Sequence, residues 1–311
     1  MKIILSRKGF DSGYGGCASP IFPDETMASL PIPDSEEKKQ SLQNLQCNGR
    51  NLGDVAKHLI KSVNASNPLG KCQMVHVDPD LRHCDETGFT GYRQAFGQDG
   101  AAQSHLSNQL VGVGDLFLFF GWFRRVEGCG ENWSFVSGAP DLHVLFGWLQ
   151  IGEILAVSDH PKWCAKYPWL EDHPHIRHAG RYPPNNTIYL ASENMLIDGK
   201  KTKYPGGGAF RTFTPAQQLT DPTQTKSIKR STWLLPNWFA QRDEKGNQLL
   251  TYHRNPKRWF FDEKDSTKAR LQTVAKGQEF VLNMNDKSLQ ETNAWLHQLL
   301  ASQHYLVASY S

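Results

Sequence analysis

Several stretches of this sequence carry side chains suited to chemistry. Ser6-Arg7-Lys8-Gly9-Phe10-Asp11-Ser12 sets two cations and a carboxylate beside a glycine-rich turn that continues through Gly13-Tyr14-Gly15-Gly16. Such a turn has backbone N–H groups to spare and tolerates close approach, so it can receive a phosphate or orient a sugar, with Asp11 as acid or base. A local Arg7–Asp11 ion pair beside a structural turn is the competing reading. His76-Val77-Asp78-Pro79-Asp80 puts His76 and Asp78 on one face of an expected strand, with Asp80 just beyond. The three could activate water or bind a divalent metal. A turn cap at Asp80 and a core histidine at His76 are the alternative, and Asp78 as a metal-free carboxylate is preferred over a ligand.

Phe96-Gly97-Gln98-Asp99-Gly100-Ala101-Ala102-Gln103-Ser104-His105 offers Gln98, Gln103 and His105, types suited to the hydrogen-bonding edges of a base or sugar. Asp99 fits a helix cap, a role that leaves the other three free. Cations and rings alternate at Trp122-Phe123-Arg124-Arg125, at Lys226, Lys229 and Arg230 ahead of Trp233 and Trp238, and before Trp259. That mixture holds phosphates and stacks unpaired bases, although each patch alone is also what a solvated face beside core aromatics looks like. His160, His173, His175 and His178 lack evident supporting acids and a regular frame, so they read as loop histidines rather than ligands. No GxxxxGK[ST] loop and no Gly-x-Ser-x-Gly elbow occurs.

The elements that position these residues follow from periodicity. Residues 1–5 read as a first strand, and Leu52, Val55, Ala56, Leu59, Ile60 and Val63 recur on one helical stripe begun near Asn51. Residues 72–78 alternate as a strand ended by Pro79, and a short helix is expected over 100–110. Residues 116–120 and 142–154 are apolar strands, the second with Gly147 where a bulge fits; two long sequential strands of this kind suggest a barrel. Residues 160–184 read as an ordered loop, 187–191 as a strand and 205–208 as a flexible glycine loop. Leu289, Thr292, Leu296, Leu299 and Leu300 predict a terminal amphipathic helix after the cap candidates Asn285 and Asp286. No repeat or linker interrupts the chain, so one α+β domain over 1–311 is expected.

Composition bounds the rest. With 311 residues, 39% hydrophobic and 21% charged, and a mean hydropathy of -0.54, the chain is expected to be a soluble globular protein and not a disordered one. The apolar run over 111–123 contains Asp115 and is shorter than the ~20 residues of a membrane-spanning helix. The first residues lack the apolar core and cleavage site of a signal peptide. The six cysteines are irregularly spaced with no CxxC, which argues against a zinc ribbon and for reduced thiols in a cytoplasm. A net charge of +3 is too mild to name a polyanionic partner by itself.

Together, residues 1–34, His76-Val77-Asp78-Pro79-Asp80, the block from Phe96 to His105 and Val113-Gly114-Asp115-Leu116-Phe117-Leu118-Phe119-Phe120-Gly121 resemble the nucleotide-modification-associated domain family of the third type. The similarity extends through His143 to Ile154, Asn185 to Ala191 and Trp233-Leu234-Leu235-Pro236. That family is associated with hypermodified bases in phage DNA and the host systems facing them, so the resemblance implies a protein acting on modified DNA. Gly114-Asp115 with its strand and Phe146-Gly147-Trp148-Leu149-Gln150-Ile151-Gly152-Glu153-Ile154 also resemble the barrel core of pseudouridine-synthase-and-archaeosine-transglycosylase-like (PUA-like, ASCH) domains. This second resemblance implies a partly closed mixed barrel around 110–195, an aromatic-lined pocket for a flipped base, and a turn role for Asp115.

The expectation is a DNA glycosylase that excises a hypermodified base from phage DNA in anti-phage defence, working without metal or cofactor. Asp11 or Asp78 would be catalytic, Tyr14, Gln98, Gln103 and His105 would bind the base, and Arg7, Lys8, Arg124, Arg125, Lys229 and Arg230 would hold phosphates. An enzyme that modifies or trims an altered base, and a non-catalytic reader of modified DNA, are the alternatives.

Overall fold

The computed structural model describes residues 1–63, 74–82, 87–130, 132–225, 228–262, 265–275, 277–284 and 288–301. Among these, a mixed sheet of nine strands forms the centre. Eight of its strands come first along the chain: β1 (Lys2–Arg7), β2 (Ser19–Ile21), β3 (Ala95–Gln98), β4 (Leu116–Cys129), β5 (Asn132–Phe135), β6 (Leu142–Ala156), β7 (Thr187–Ala191) and β8 (Gly207–Ala209). A separate three-stranded antiparallel sheet follows, built from β9 (Thr232–Pro236), β10 (Trp259–Asp262) and β11 (Asp265–Gln272), before β12 (Glu279–Asn283) rejoins the first.

The strand order is β12–β1–β4–β6–β7–β3, with β2 and β5 also on β4 and β8 on β6. β1 runs parallel to β4, with Ile3 opposite Leu116, and antiparallel to β12, with Ile4 opposite Val281. Ile3, Ile4 and Leu5 are fully buried, as befits a central strand covered on both faces. The register of β4 against β6 slips between Phe119 and Phe120, leaving Phe146 unpaired beside Gly147, and that of β6 against β7 slips at Gly152. Bulges of this kind bend strands. The two sheet edges approach each other, but among the described residues no sheet closes into a barrel. Helix α2 (Gly100–Asn108), which leaves the end of β3, packs against β12, and a side-chain hydrogen bond from Gln98 to Glu279 spans the edges in place of a backbone ladder. The α+β class thus holds, with a curled open sheet where a barrel was expected around 110–195.

Helix α1 (Leu52–Ser62) begins where its stripe begins. The Asn51 side chain accepts from Gly53 and Asp54 N–H, while Leu52, Val55, Ala56 and Leu59 are buried beside Phe22 and Trp133. Residues 160–184, expected as an ordered loop, contain short helices. They form α3 (His160–Lys166), the single turn α4 (Pro174–Arg177) and short 3-10 turns; α3, α4 and the turn Pro168–Asp172 each start with a proline, a local signal that periodicity does not register. The terminal helix is α5 (Leu289–Ala301). No helix among the described residues is long and apolar enough to cross a membrane.

Two further expectations change. The stretch over 72–78 is, where described, extended chain held by isolated bridges of Val75 to Pro33 and Met74 to Ser41, not a strand. The 205–208 loop instead runs into β8, with Gly208 opposite Trp148. A Cβ on Gly208 would lie 2.7 Å from the Trp148 ring, so the glycines admit a strand that larger residues could not build. Cys72, Cys84, Lys226, Asn285 and Asp286 lie outside the described residues.

Candidate active site

A cavity of about 630 Å³ opens where the β1–β2 loop, the end of β3, the start of α2 and the 175–182 segment meet. It gathers Arg7, Lys8, Asp11, Tyr14, Asp78 and Gln98, six of the residues selected from the sequence, and adds Asp34, His76, Asp99, His175, Arg181 and Tyr182. A larger cavity, about 800 Å³, lies between the Lys200–Pro205 strand and α5, but none of the sequence-selected residues lines it.

Asp78 sits at the floor, its side chain 5% exposed. Its Oδ1 accepts from the Gly97 N–H at 2.9 Å and lies 3.4 Å from His173 Nε2. Its Oδ2 faces His76 Nε2 at 3.7 Å and His175 Nε2 at 3.6 Å. Burial opposes the Asp78 charge, yet the His173 and His76 imidazoles outweigh it and hold the carboxyl well below the usual range. It is therefore a fixed anion and a poor proton carrier. Burial likewise opposes charge on His76, but Asp34 and Asp78 on either side push it up to about 9. Asp34 is itself gripped by Arg181 at 2.8 and 3.3 Å.

His173 and His175 reach Asp78 because α4 turns them inward. His175 Nδ1 lies 2.6 Å from Asn186 Oδ1, and Asn186 Nδ2 donates to the His175 carbonyl, which fixes the amide with its oxygen toward the ring. Tyr182 stacks on the His175 ring at 4.2 Å. On the other side the ring lies against the backbone of β3, where a Cβ on Gly97 would come within 2.3 Å of it. Burial lowers His175 to about 4, so the ring is neutral.

Asp99 occupies the N-cap position of α2 but its side chain makes no cap bond. Asn185 takes that role: its Oδ1 accepts the Gly100 N–H at 3.0 Å and its Nδ2 donates to the Gly100 carbonyl. The Asp99 carboxylate consequently makes no hydrogen bond among the described residues. Burial raises its proton affinity, with Asp78 adding to the effect and His76 and Lys8 partly offsetting it. An unengaged acid with raised proton affinity in a cleft is the type that moves protons.

Asp11 is half engaged. Its Oδ1 accepts from Gly13 and Tyr14 N–H, both at 2.7 Å, in a turn that leaves Tyr14 61% exposed. Lys8 Nζ meets Glu279 Oε1 at 3.0 Å and lies over the Phe96 ring. Gln98 donates to the same Glu279 oxygen and accepts the Asp99 N–H, so its amide braces the cavity. Arg7 donates to the carbonyls of Ala275 and Val274, and Arg230 lies 4.2 Å over the Trp122 ring. Neither guanidinium forms an ion pair among the described residues. Burial lowers Arg7 first and the nearby Arg230 charge lowers it further, while Asp11 partly offsets both; of the two, Arg7 lines the cavity.

Other selected residues are spent elsewhere. Gln103 is buried, accepting from the Tyr189 hydroxyl, and His105 meets Thr251 on the far side of α2. Arg125 is paired bidentately with Glu25, and Arg124 donates to the Val136 carbonyl. Lys229 is exposed next to Arg230. The sequence signal for Asp99 was its place in the 96–105 block, where capping concealed its freedom. For His173 and His175 the signal was the His-Pro-His spacing alone.

The curled sheet of this α+β fold thus carries a cavity of about 630 Å³ lined by acids, imidazoles and guanidiniums. The family described as nucleotide modification associated domain 3 matches residues 2–283, and the chain belongs to that family. No curated protein and no solved structure matches the chain. Membership connects this protein with modified nucleotides.

Proposed function

We propose that this chain is an enzyme that removes a modified base from DNA by hydrolysing its N-glycosidic bond. The observation that carries the reading is the unbonded Asp99 carboxylate, of raised proton affinity, in one cavity with Asp11, Lys8 and the exposed Tyr14, beside Arg7 and Arg230. Turning a nucleotide out of a duplex costs a few kcal/mol, which stacking on the exposed Tyr14 ring and phosphate contacts to Arg7 and Arg230 offset. A water oxygen bonds to C1′ as the C1′–N bond breaks with its electron pair on the base. The proton lost by the water balances the one gained by the base, and Asp99 is the group able to relay it. Asp11, oriented by the Gly13 and Tyr14 N–H groups of its turn, stabilises the positive charge developing on the sugar. The family connection supports a modified nucleotide as the substrate; phage DNA carrying bulky modified bases, with anti-phage defence as its setting, is the substrate class proposed.

The test incubates purified protein with plain and modified duplexes and scores alkali-labile abasic sites. Cleavage-ready sites in modified DNA only, lost about 100-fold or more in Asp99→Asn with the fold intact, are expected. Intact DNA across a panel of modifications overturns the reading. A mass change in the digested nucleosides without a free base shows modification instead.

A further inference from the structure

We infer that His76, Asp78 and His175 form a binding site for a divalent first-row transition-metal ion at the floor of the cavity. The inference stands apart from the proposed reaction and rests on three observations. The first is spacing. His76 Nε2, Asp78 Oδ2 and His175 Nε2 all lie within 4.8 Å of one another, and each nitrogen stands 3.6 or 3.7 Å from the carboxylate oxygen. Hydrogen bonds between such groups run at about 2.7–3.2 Å, so these contacts are too long for them. Metal–ligand bonds of about 2.1 Å at tetrahedral angles put neighbouring donors about 3.4 Å apart, close to the separations found.

The second observation is the direction of a lone pair. Asn186 accepts from Nδ1 of the His175 ring, so in the neutral ring it is the Nε2 lone pair that points at the Asp78 carboxylate. A lone pair against an anion in a buried site repels unless a cation lies between them. The third is the support behind each donor. Asn186 holds His175 Nδ1 and the Gly97 N–H holds the other Asp78 oxygen, while the Asp34 carboxylate stands behind His76, 3.8 Å from Nδ1, as an electrostatic neighbour too far for a direct hydrogen bond. His173 Nε2, 2% exposed, is buried with no hydrogen-bond partner 3.4 Å from that same oxygen. Metal-binding histidines carry such partners on their far nitrogens as a rule. Two imidazoles and one carboxylate suit zinc, iron, manganese or cobalt over calcium or magnesium, and three protein donors beside an open cavity leave positions for water or substrate.

The test uses full-length protein stripped by a chelator and then given Zn²⁺, or Co²⁺ as a coloured probe. One Zn²⁺ per chain retained through gel filtration, and a visible Co²⁺ spectrum that Zn²⁺ abolishes, are expected. His175→Ala and Asp78→Asn should lose both, while His160→Ala, outside the cluster, should behave as wild type. Asp34→Asn alters no ligand and should weaken binding 10–100-fold, so it decides the matter if a ligand variant fails to fold. The inference is overturned if wild-type protein retains no metal, or if folded variants at 78 and 175, or at 34, bind it as wild type does.

Discussion

Gln98 Nε2 donates to Glu279 Oε1 at 2.7 Å across 181 residues of chain, and this bond joins the two edge strands of the large sheet beside the cavity. The same oxygen accepts from Ser6 Oγ and Lys8 Nζ, and the Glu279 side chain is only 1% exposed. Glu279→Ala strands an ammonium, an amide and a hydroxyl at once. A loss of about 3–5 kcal/mol in urea unfolding is expected, as for breaking other buried pairs. Glu279→Gln, which keeps an acceptor, should lose less, and equal loss in the two would show that charge, not bonding, secures the seam.

Gly97 is where β3 lets an imidazole approach its backbone. An alanine there would put its Cβ 2.3 Å from His175 Cδ2, so the ring has to move away from Asp78. Gly97→Ala is expected to cost about 1–3 kcal/mol and to weaken metal binding at the His76, Asp78 and His175 cluster. Unchanged melting temperature and metal affinity would show that the ring has room to yield.

Arg230 forms no ion pair among the described residues, with Asp141 and Asp11 acting on it only at longer range, whereas Arg125 is locked to Glu25. If Arg230 contacts a phosphate, Arg230→Ala lowers the slope of log affinity against log salt by about 0.9, and Arg125→Ala leaves it unchanged. Fluorescence anisotropy over a salt series reads both. Equal slopes for wild type and Arg230→Ala would remove that contact from the interface.

His253 is fully buried in a bond pattern that needs it neutral: Nδ1 faces the Thr251 carbonyl at 3.0 Å, and Nε2 accepts from the Val274 N–H at 3.2 Å. Burial lowers it to about 4 from an ordinary 6.5. The unfolded chain therefore takes up a proton across that window while the folded one does not, and stability falls as pH drops from 6.5 to 4. The loss attributable to this group is up to about 3 kcal/mol. His253→Gln should flatten the fall in urea midpoint over that range, and an unchanged slope would rule the group out.

Much of the frame was legible because it obeys local rules. Asn51 with its stripe fixed α1 to within a residue, and the apolar run at 187–191 is β7 as read. The cavity was half legible: Arg7, Lys8, Asp11 and Tyr14 lie within eight residues at the end of β1 and the loop after it, and Asp78 and Gln98 fell in neighbouring blocks. The rest depends on contacts no window spans. His173 and His175 meet Asp78 only after α4 folds back, and β8 is visible only once Trp148 and its neighbours require glycine opposite them.

Asn185 has a consequence larger than its own bonds. By clasping the first turn of α2 from 85 positions away, it releases Asp99 from a duty that the aspartate's own address would impose. Strip that clasp with alanine and the aspartate is drawn home to its helix, leaving the hollow without its proton courier. A lesion at 185 would then masquerade as a catalytic defect in a residue that never meets the substrate.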